Sequence, residues 1–258
     1  MDRRNADLPA PVYLGLVLVP LVAQVTVRLL DPGLRTYKTI FNGELGFIEL
    51  GTAALLLVAV VLLALQSRRM FVHGERWNGA LLAVLAVGGF LFMGEEISWG
   101  QWFFRWDSPD WFLQHNAQGE TNLHNLTFVK KDIAKWIVVL GIAVFGLIMP
   151  LRGGPRVGRI GPFDRRLLPT HACVPVAALV VASHLVVKLT WWFMGLELEP
   201  LIGIDVREAT EFYVAMFGLI YALSLRQRLG PPPFSAGHAG RYGAHGGGSR
   251  GMPANPAE

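Results

Sequence analysis

The sequence predicts an all-α fold: a polytopic membrane helix bundle with about six transmembrane helices. Apolar residues make up 52% of the chain and charged residues only 16%, and the mean hydropathy is +0.40. This composition is typical of a chain rich in spanning segments of roughly 20 residues each. The sequence lacks the alternating pattern of a membrane barrel, and backbone amides in lipid must pair within the protein. Helices are therefore the predicted elements.

Six apolar stretches are predicted to span the bilayer, at about 11–30, 46–66, 79–98, 132–151, 172–193 and 206–226. The first is too long for the apolar region of a signal peptide and lacks a small-residue cleavage site, so we expect it to be retained. From residue 230 the chain is rich in Gly, Pro and Ala, which bury too little apolar surface to offset the entropy of ordering. We expect one transmembrane domain at 1–229 and a disordered cytoplasmic tail at 230–258.

The basic residues predict the orientation of the helices. They concentrate in alternate loops, as with Arg68, Arg69 and Arg76 between the second and third spans, and near both ends of the chain. Cytoplasmic loops carry an excess of Lys and Arg, so both termini are predicted to be cytoplasmic. No basic patch with stacking aromatic residues indicates nucleic-acid binding. The single cysteine, Cys173, excludes an intramolecular disulfide and a cysteine-based zinc cluster.

The outer connection at about 105–131 is predicted to contain a short helix over 109–116. Ser108 offers a capping hydroxyl, Pro109 suits the first helical position, and Asp110 complements the helix dipole. Seven of the eight tryptophans lie near the outer ends of spans: Trp99, Trp102, Trp106, Trp111, Trp136, Trp191 and Trp192. Two interpretations stay open for them, an aromatic belt at the headgroup level and the lining of a substrate groove.

Two polar motifs mark the outer side of the bundle. Gly94–Gln101 reads GEEISWGQ and places the carboxylates of Glu95 and Glu96 at the end of the third span, and Asn116–Asn125 reads NAQGETNLHN. Acids near lipid are costly to keep charged, so they usually face a protein interior, a water-filled cavity or a bound cation. The sequence therefore predicts a buried polar site near the outer face.

Acids and histidines from several spans are predicted to meet at this site. Glu49 lies near the outer end of the second span. His184 and Lys188 share a face of the fifth span, and Glu208 and Glu211 share a face of the sixth. The outer loop is expected to fold back over these groups. It adds Gln101, Glu120, Asn122, His124 and Asn125.

Carboxylates together with imidazoles suit one divalent metal ion. One hypothesis assigns four metal ligands: His124, His184, Glu208 and Glu211. Glu95 or Glu96 then acts as the catalytic base on a bound water. The supporting polar residues are Glu49, Gln101, Glu120, Asn122, Asn125 and Lys188. The chain has no compact ligand motif such as HExxH to favour a particular metal.

Structural interpretations stay open beside this chemical one. On the structural interpretation, Glu95 and Glu96 form ion pairs with Arg105, Lys135 or Lys188 and thereby stabilise the bundle. On this interpretation, His184 is a hydrogen-bonded core residue, and the asparagines of the second motif cap turns and helix ends. The joint occurrence of acids and histidines at one depth, rather than any single residue, favours a functional site.

The two motifs resemble a pattern of uncharacterised multi-pass bacterial membrane proteins, over about 35 residues. This resemblance implies a location in the bacterial inner membrane. The Glu95-Glu96 pair is also distantly similar to the Glu-Glu pair of intramembrane proteases of the CAAX-processing type. The basic residue that follows the pair in those proteases is absent here, where Ile97, Ser98 and Trp99 follow.

Two function classes are compatible with these observations. The first is a membrane-embedded, metal-assisted hydrolase or transferase that acts on a lipid or lipid-linked substrate at the periplasmic leaflet. The second is a non-enzymatic membrane subunit or small transporter with a buried network of carboxylates and histidines. A transport path requires acids that continue toward the cytoplasmic half, where the sequence has mainly basic loops.

Overall fold

The chain folds into a bundle of long helices, as its apolar runs predict. The computed structural model describes residues 7–31, 33, 35–41, 46–123, 125–127, 131–153, 158–197 and 202–230. The helices are α1 (Ala10–Leu30), α2 (Arg35–Ile40), α3 (Phe47–Val72), α4 (Arg76–Glu96), α5 (Gln101–Phe104), α6 (Asp110–His115), α7 (Lys131–Gly141), α8 (Met149–Arg152), α9 (Val174–Met194) and α10 (Val206–Leu229). The all-α prediction is confirmed. The proposed tail at 230–258 lies outside the described residues, apart from Gly230.

Short elements connect the long helices. A π-helical segment, Ile142–Ile148, joins α7 to α8 and completes the fourth predicted span. Tight 3₁₀ turns occupy Ser98–Gly100, Arg165–Leu167 and His171–Cys173. The strands of the described part are β1 (Arg159–Ile160) and β2 (Phe163–Asp164), which form an antiparallel hairpin in the loop before α9.

Five helical segments in the described part are long and apolar enough to cross a membrane. They are Ala10–Leu30, Phe47–Val72, Arg76–Glu96, Ile133–Arg152 and Arg165–Met194. These segments agree with the first five predicted spans and give the chain the character of a multi-pass membrane protein. The sixth predicted span, at 206–226, is a 24-residue helix, α10, but it is not among the five. Charged residues at both of its ends lower its hydropathy.

Helix α10 occupies the centre of the bundle, where protein rather than lipid surrounds it. It packs against α3 and α9. Its buried residues are Ala209, Thr210, Phe212, Tyr213, Ala215, Met216, Leu219, Ile220, Tyr221, Ala222, Ser224 and Leu225. Helix α1, in contrast, buries only Val17 and Gln24 and exposes many large apolar side chains. A helix enclosed by its neighbours can be more polar than one that faces hydrocarbon.

Glycines allow α10 to approach its neighbours closely. A Cβ atom at Gly51 of α3 would lie 2.8 Å from Cε2 of Phe212, and one at Gly146 would overlap the ring of Phe217. Small residues at such contacts let helix backbones come together in membrane bundles. Because Gly51 is two residues from Glu49 and Phe212 follows Glu211, this contact brings the acids of the two helices to the same level.

The two ends of the bundle differ in charge. We call the end that carries Glu96 and Glu211 the acidic end, and the opposite end, which carries Arg165 and Arg228, the basic end. At the basic end, Ser224 Oγ donates to Asp7 Oδ1 over 2.6 Å and lies 3.2 Å from Thr170 Oγ1. These contacts join the chain before α1 to the loop before α9 and to the last turns of α10.

Candidate functional site

Helix α4 ends in a turn of unusual backbone conformation. Ser98, Trp99 and Gly100 have φ angles of 45°, 55° and 83°. This left-handed region suits glycine but is strained for serine and tryptophan, so it persists only where the surroundings hold it. The ring of Trp99 folds back over Gly94, where a Cβ atom would lie 2.7 Å from the ring. The GEEISWGQ motif therefore needs Gly94 for this contact and Gly100 for its φ angle.

Glu95 connects the end of α4 to the second motif. Its Oε1 atom accepts a hydrogen bond from Trp99 Nε1 over 2.9 Å, and its Oε2 atom accepts one from the backbone N–H of Leu123 over 2.6 Å. Both oxygens are thus occupied by N–H donors. Glu95 therefore fastens the loop through hydrogen bonds from Trp99 and Leu123, which are not the ion-pair partners of the structural interpretation.

Glu120 is the centre of a buried hydrogen-bond cluster. Its carboxylate accepts from Ser98 Oγ over 2.7 Å, from Trp102 Nε1 over 3.0 Å and from Asn122 Nδ2 over 2.7 Å. Hydrogen bonds to an ionised acceptor are stronger than neutral ones. The first and second motifs therefore fold into one unit, residues 98–123 and 125–127, which we call the cap.

Gln101 and Ser108 stabilise the middle of the cap. Gln101 Oε1 accepts from the backbone N–H of Thr121 over 2.8 Å, and Gln101 Nε2 donates to Ser108 Oγ over 2.9 Å. The short helix predicted over 109–116 is confirmed as α6, but the prediction that Ser108 caps it is wrong. Pro109 is the N-cap residue, and Ser108 Oγ instead lies 3.0 Å from Thr121 Oγ1.

The asparagines of the second motif close the turns of the cap. Asn116 Nδ2 donates to Asn122 Oδ1 over 2.8 Å, and Asn116 Oδ1 accepts from the backbone N–H of Gln118 over 2.8 Å. Asn125 N donates to Asn122 Oδ1 over 3.2 Å, and Asn125 Nδ2 donates to Gln118 Oε1. Asparagine is well suited to this because its amide satisfies backbone groups in turns.

Below the cap, four glutamates from three helices gather as an acidic cluster: Glu49, Glu96, Glu208 and Glu211. The charged groups that act most strongly on Glu96 are Glu211 and then Lys135, followed by Glu49 and Glu208. Lys135 Nζ of α7 forms an ion pair with Glu211 Oε1 at 2.6 Å. The side chains of Lys135 and Glu211 remain 37% and 24% exposed. The cluster is therefore partly accessible to solvent at Lys135 and Glu211.

His184 of α9 packs against α7. Its ring is buried and packs edge-on against Trp136, with ring centroids 4.6 Å apart and an interplanar angle of 84°. Trp136 follows Lys135 in the chain, and Lys135 forms the ion pair with Glu211. Lys188, one turn further along α9, is partly buried.

The predicted metal ligands are only partly placed. His124 lies outside the described residues. Within the described part of the chain, no three His, Cys, Asp or Glu side chains are grouped so that they could hold a metal ion. His184, Glu208 and Glu211 are thus not assembled there as a ligand set, since the ring of His184 packs on Trp136. A set completed by His124 stays a prediction.

Sequence reasoning overlooked the roles of Ser98 and Trp102. Ser98 lies inside the first motif but has no role among the sequence predictions. In the structure its hydroxyl donates to Glu120 and accepts from Asn122, so it bridges these two side chains. Trp102 was interpreted as belt or groove lining, whereas its indole N–H binds Glu120. The available signal was Trp102 directly after the first motif and Glu120 within the second, because a Trp N–H group that leaves water usually finds an acceptor.

Comparisons of the chain with protein-family models, curated proteins and solved structures give no significant match. The resemblance of the two motifs to a bacterial membrane family therefore stays a prediction.

Proposed function

We propose that the protein is a membrane-embedded hydrolase or transferase that acts on a lipid or lipid-linked substrate at the periplasmic leaflet of a bacterial inner membrane. The observation that carries this proposal is that Glu96 of α4 lies close enough to Glu211 of α10 for their charges to interact, beside the Lys135–Glu211 ion pair. Each carboxyl comes from a different helix, and Glu211 is the charged group that acts most strongly on Glu96. The Lys135–Glu211 ion pair would be complete without Glu96, so a purely structural role for these residues does not account for the second acid.

The two adjacent glutamates of the first motif take different roles in this proposal. Glu95 positions the cap, because its oxygens already accept from Trp99 and Leu123. Glu96 faces the acidic cluster and is the catalytic residue. Successive residues on a helix point about 100° apart, so two neighbouring carboxyls serve different surroundings.

Glu96 and Glu211 suit general acid–base catalysis. General acid–base catalysis requires two such groups, one as the base and one as the acid. One carboxylate removes the proton of an attacking water or hydroxyl. The oxygen of that water or hydroxyl forms a bond to the ester or phosphoester centre. The other carboxyl donates a proton to the departing oxygen as its bond breaks. The Lys135 ammonium stabilises negative charge that develops between them.

A divalent metal, if one binds, would polarise the same ester or phosphoester oxygen. Its ligands would include His124 together with residues of the acidic cluster. The steps above use only the protein's own carboxyls and ammonium.

The surroundings of the acidic cluster favour a lipid-like substrate. The cap exposes large aromatic side chains next to the end of α4: Trp102, Phe103, Phe104, Trp106 and Trp111. Aromatic residues of this kind lie at the headgroup level of a bilayer. A substrate anchored there by its chains brings its polar head to the level of Glu96.

The test is turnover by the purified protein in lipid nanodiscs, with a panel of radiolabelled phospholipids and polyprenyl-linked sugars. We expect Glu96→Gln and Glu211→Gln to lower turnover by about 10²–10⁴-fold, the usual contribution of general acid–base catalysis. Glu197→Gln is the control, because Glu197 is exposed and outside the cluster. Wild-type turnover in both cluster variants, with unchanged unfolding temperatures, would refute the proposal.

A small transporter is the second candidate, favoured by polar groups that extend past Glu208. The hydroxyls of Tyr37 and Tyr213 are buried and have no hydrogen-bond partner within the described part of the chain. Burial, followed by the charges of Glu208 and Asp205, raises the pKa of Tyr37 to about 12. A transporter predicts proton or cation uptake into proteoliposomes that Glu96→Gln abolishes, without any lipid turnover in the wild type.

A further inference from the structure

The basic end of the bundle contains a cavity of about 260 Å³. It lies between α8, the loop before α9 and the last turn of α10. Two arginines, Arg165 and Arg228, and one histidine, His171, line it. Thr170 adds a hydroxyl to the lining. The cavity is at the opposite end of the bundle from the acidic cluster, so the proposed catalytic site does not explain it.

The protein holds Arg228 in a fixed orientation at this cavity. Its guanidinium donates to the backbone carbonyls of Arg166 and Leu168, the latter over 3.2 Å, and to Ser224 Oγ over 3.3 Å. The carboxylate of Asp7 accepts from Ser224 and offsets part of this charge. Arg165 and His171 are further cationic or hydrogen-bonding groups of the lining, so the cavity favours an anion.

The rim of the cavity is apolar on the side of α8. Ile160 of β1 lines the cavity, and Ile148 and Leu151 flank its lining residues Met149 and Pro150 along the fourth span. All three side chains are exposed, Leu151 by 60%. The basic groups inside the cavity match an anionic headgroup, and the exposed aliphatic side chains beside the cavity match hydrocarbon chains.

We propose that this cavity binds the headgroup phosphate of an anionic glycerophospholipid. Guanidinium groups bind phosphate oxygens through paired, charge-assisted hydrogen bonds. Basic pockets between the ends of transmembrane helices are suited to anionic headgroups, while the acyl chains lie along the neighbouring spans. Here the chains run along Ile148 and Leu151. This inference does not depend on the proposed catalytic function.

The test is lipid titration of the detergent-purified protein, followed by native mass spectrometry and by the unfolding temperature. Phosphatidylglycerol is expected to bind and raise the unfolding temperature, and phosphatidylcholine is not. Arg165→Gln is expected to weaken phosphatidylglycerol binding at least tenfold. Arg159→Gln is the matched control, because Arg159 is exposed in the same loop and does not line the cavity.

Three results would overturn the inference. The first is equal binding by Arg165→Gln and Arg159→Gln proteins, and the second is equal binding of phosphatidylcholine. The third is saturation of the site by inorganic phosphate at the concentration where phosphatidylglycerol binds, which would indicate a site for free phosphate. Because Arg228 also holds the backbone of the loop, Arg165 is the better residue to change.

Discussion

The backbone N–H of Leu123 donates to Glu95 Oε2 over 2.6 Å and thereby fastens the second polar motif to the end of α4. The two residues are 28 positions apart in the chain. Glu95 also accepts from Trp99, so one carboxylate holds both the turn after α4 and the loop that covers it. The neighbouring Glu96 takes no part in these two hydrogen bonds and belongs to the acidic cluster.

Gly94→Ala is expected to destabilise the protein by about 1–3 kcal/mol, the usual cost of overpacking. The added Cβ atom would lie 2.7 Å from the ring of Trp99 and push it away from Glu95. Chemical unfolding in detergent measures the change. Gly88→Ala is the control on the same helix, since a Cβ atom there meets nothing within 4 Å. Equal stability of the two variants would contradict this account of the motif.

Glu120→Gln is expected to cost about 1–3 kcal/mol, because a buried donor is left without its acceptor. The carboxylate accepts from Ser98, Trp102 and Asn122, and an amide offers only one oxygen to these three groups. Unfolding in detergent measures the loss, with Glu197→Gln as the exposed control. A variant as stable as the control would show that the cap does not depend on this charge.

Tyr213→Phe and Tyr221→Phe are expected to have different effects although both tyrosines are buried in α10. The Tyr221 hydroxyl donates to the carbonyl of Leu167 over 2.7 Å, so its removal costs about 1 kcal/mol or more. The Tyr213 hydroxyl has no partner within the described residues, so its removal leaves the free energy of unfolding unchanged or raises it. A comparable loss in both variants would reveal a ligand or water on Tyr213.

Asp7→Asn is expected to lower the unfolding temperature at neutral pH and to make it less sensitive to acid. Burial raises the pKa of Asp7, but hydrogen bonds from Ser224, Thr170 and Leu8 and the charge of Arg228 outweigh burial, and the pKa lies below its ordinary value of 3.8. The stabilisation is therefore present above that value and is lost as the pH falls through the lower folded-state pKa.

Unfolding temperatures at pH 6 and pH 3 check this sign. The difference between the wild type and Asp7→Asn is expected to be larger at pH 6. Asp107→Asn, an exposed acid in the cap, is the control and is expected to change neither value. A difference that grows toward acid pH would mean that Asp7 is protonated in the folded protein.

The spans were predictable because bilayer thickness sets the length of an apolar run. The sixth was harder to assign, since α10 is enclosed by protein and carries Glu208 and Glu211 in its first turns. The turn at Ser98 and Trp99 was not predictable. Neither residue favours positive φ, and donors and acceptors far along the chain hold the conformation.

Helix spacing predicts that acids from several spans lie at one level, but it does not distinguish Glu95 from its neighbour Glu96. Adjacent residues look alike in sequence, and only the fold shows that Glu95 is the carboxylate that binds Leu123. The cap was also hidden, because a run of polar residues predicts a loop without indicating that its side chains bind one another.

The central position of α10 bears on how the protein is made. Helix α3 and the π-helical segment Ile142–Ile148 are synthesised before α10, yet the faces at Gly51 and Gly146 that contact Phe212 and Phe217 stay uncovered until α10 is made. Because α10 carries carboxylates in its first turns, its transfer into lipid without neighbouring helices is energetically unfavourable. Its insertion is therefore expected to require the earlier helices to be held together at the translocon, so that membrane entry and final folding become a single event.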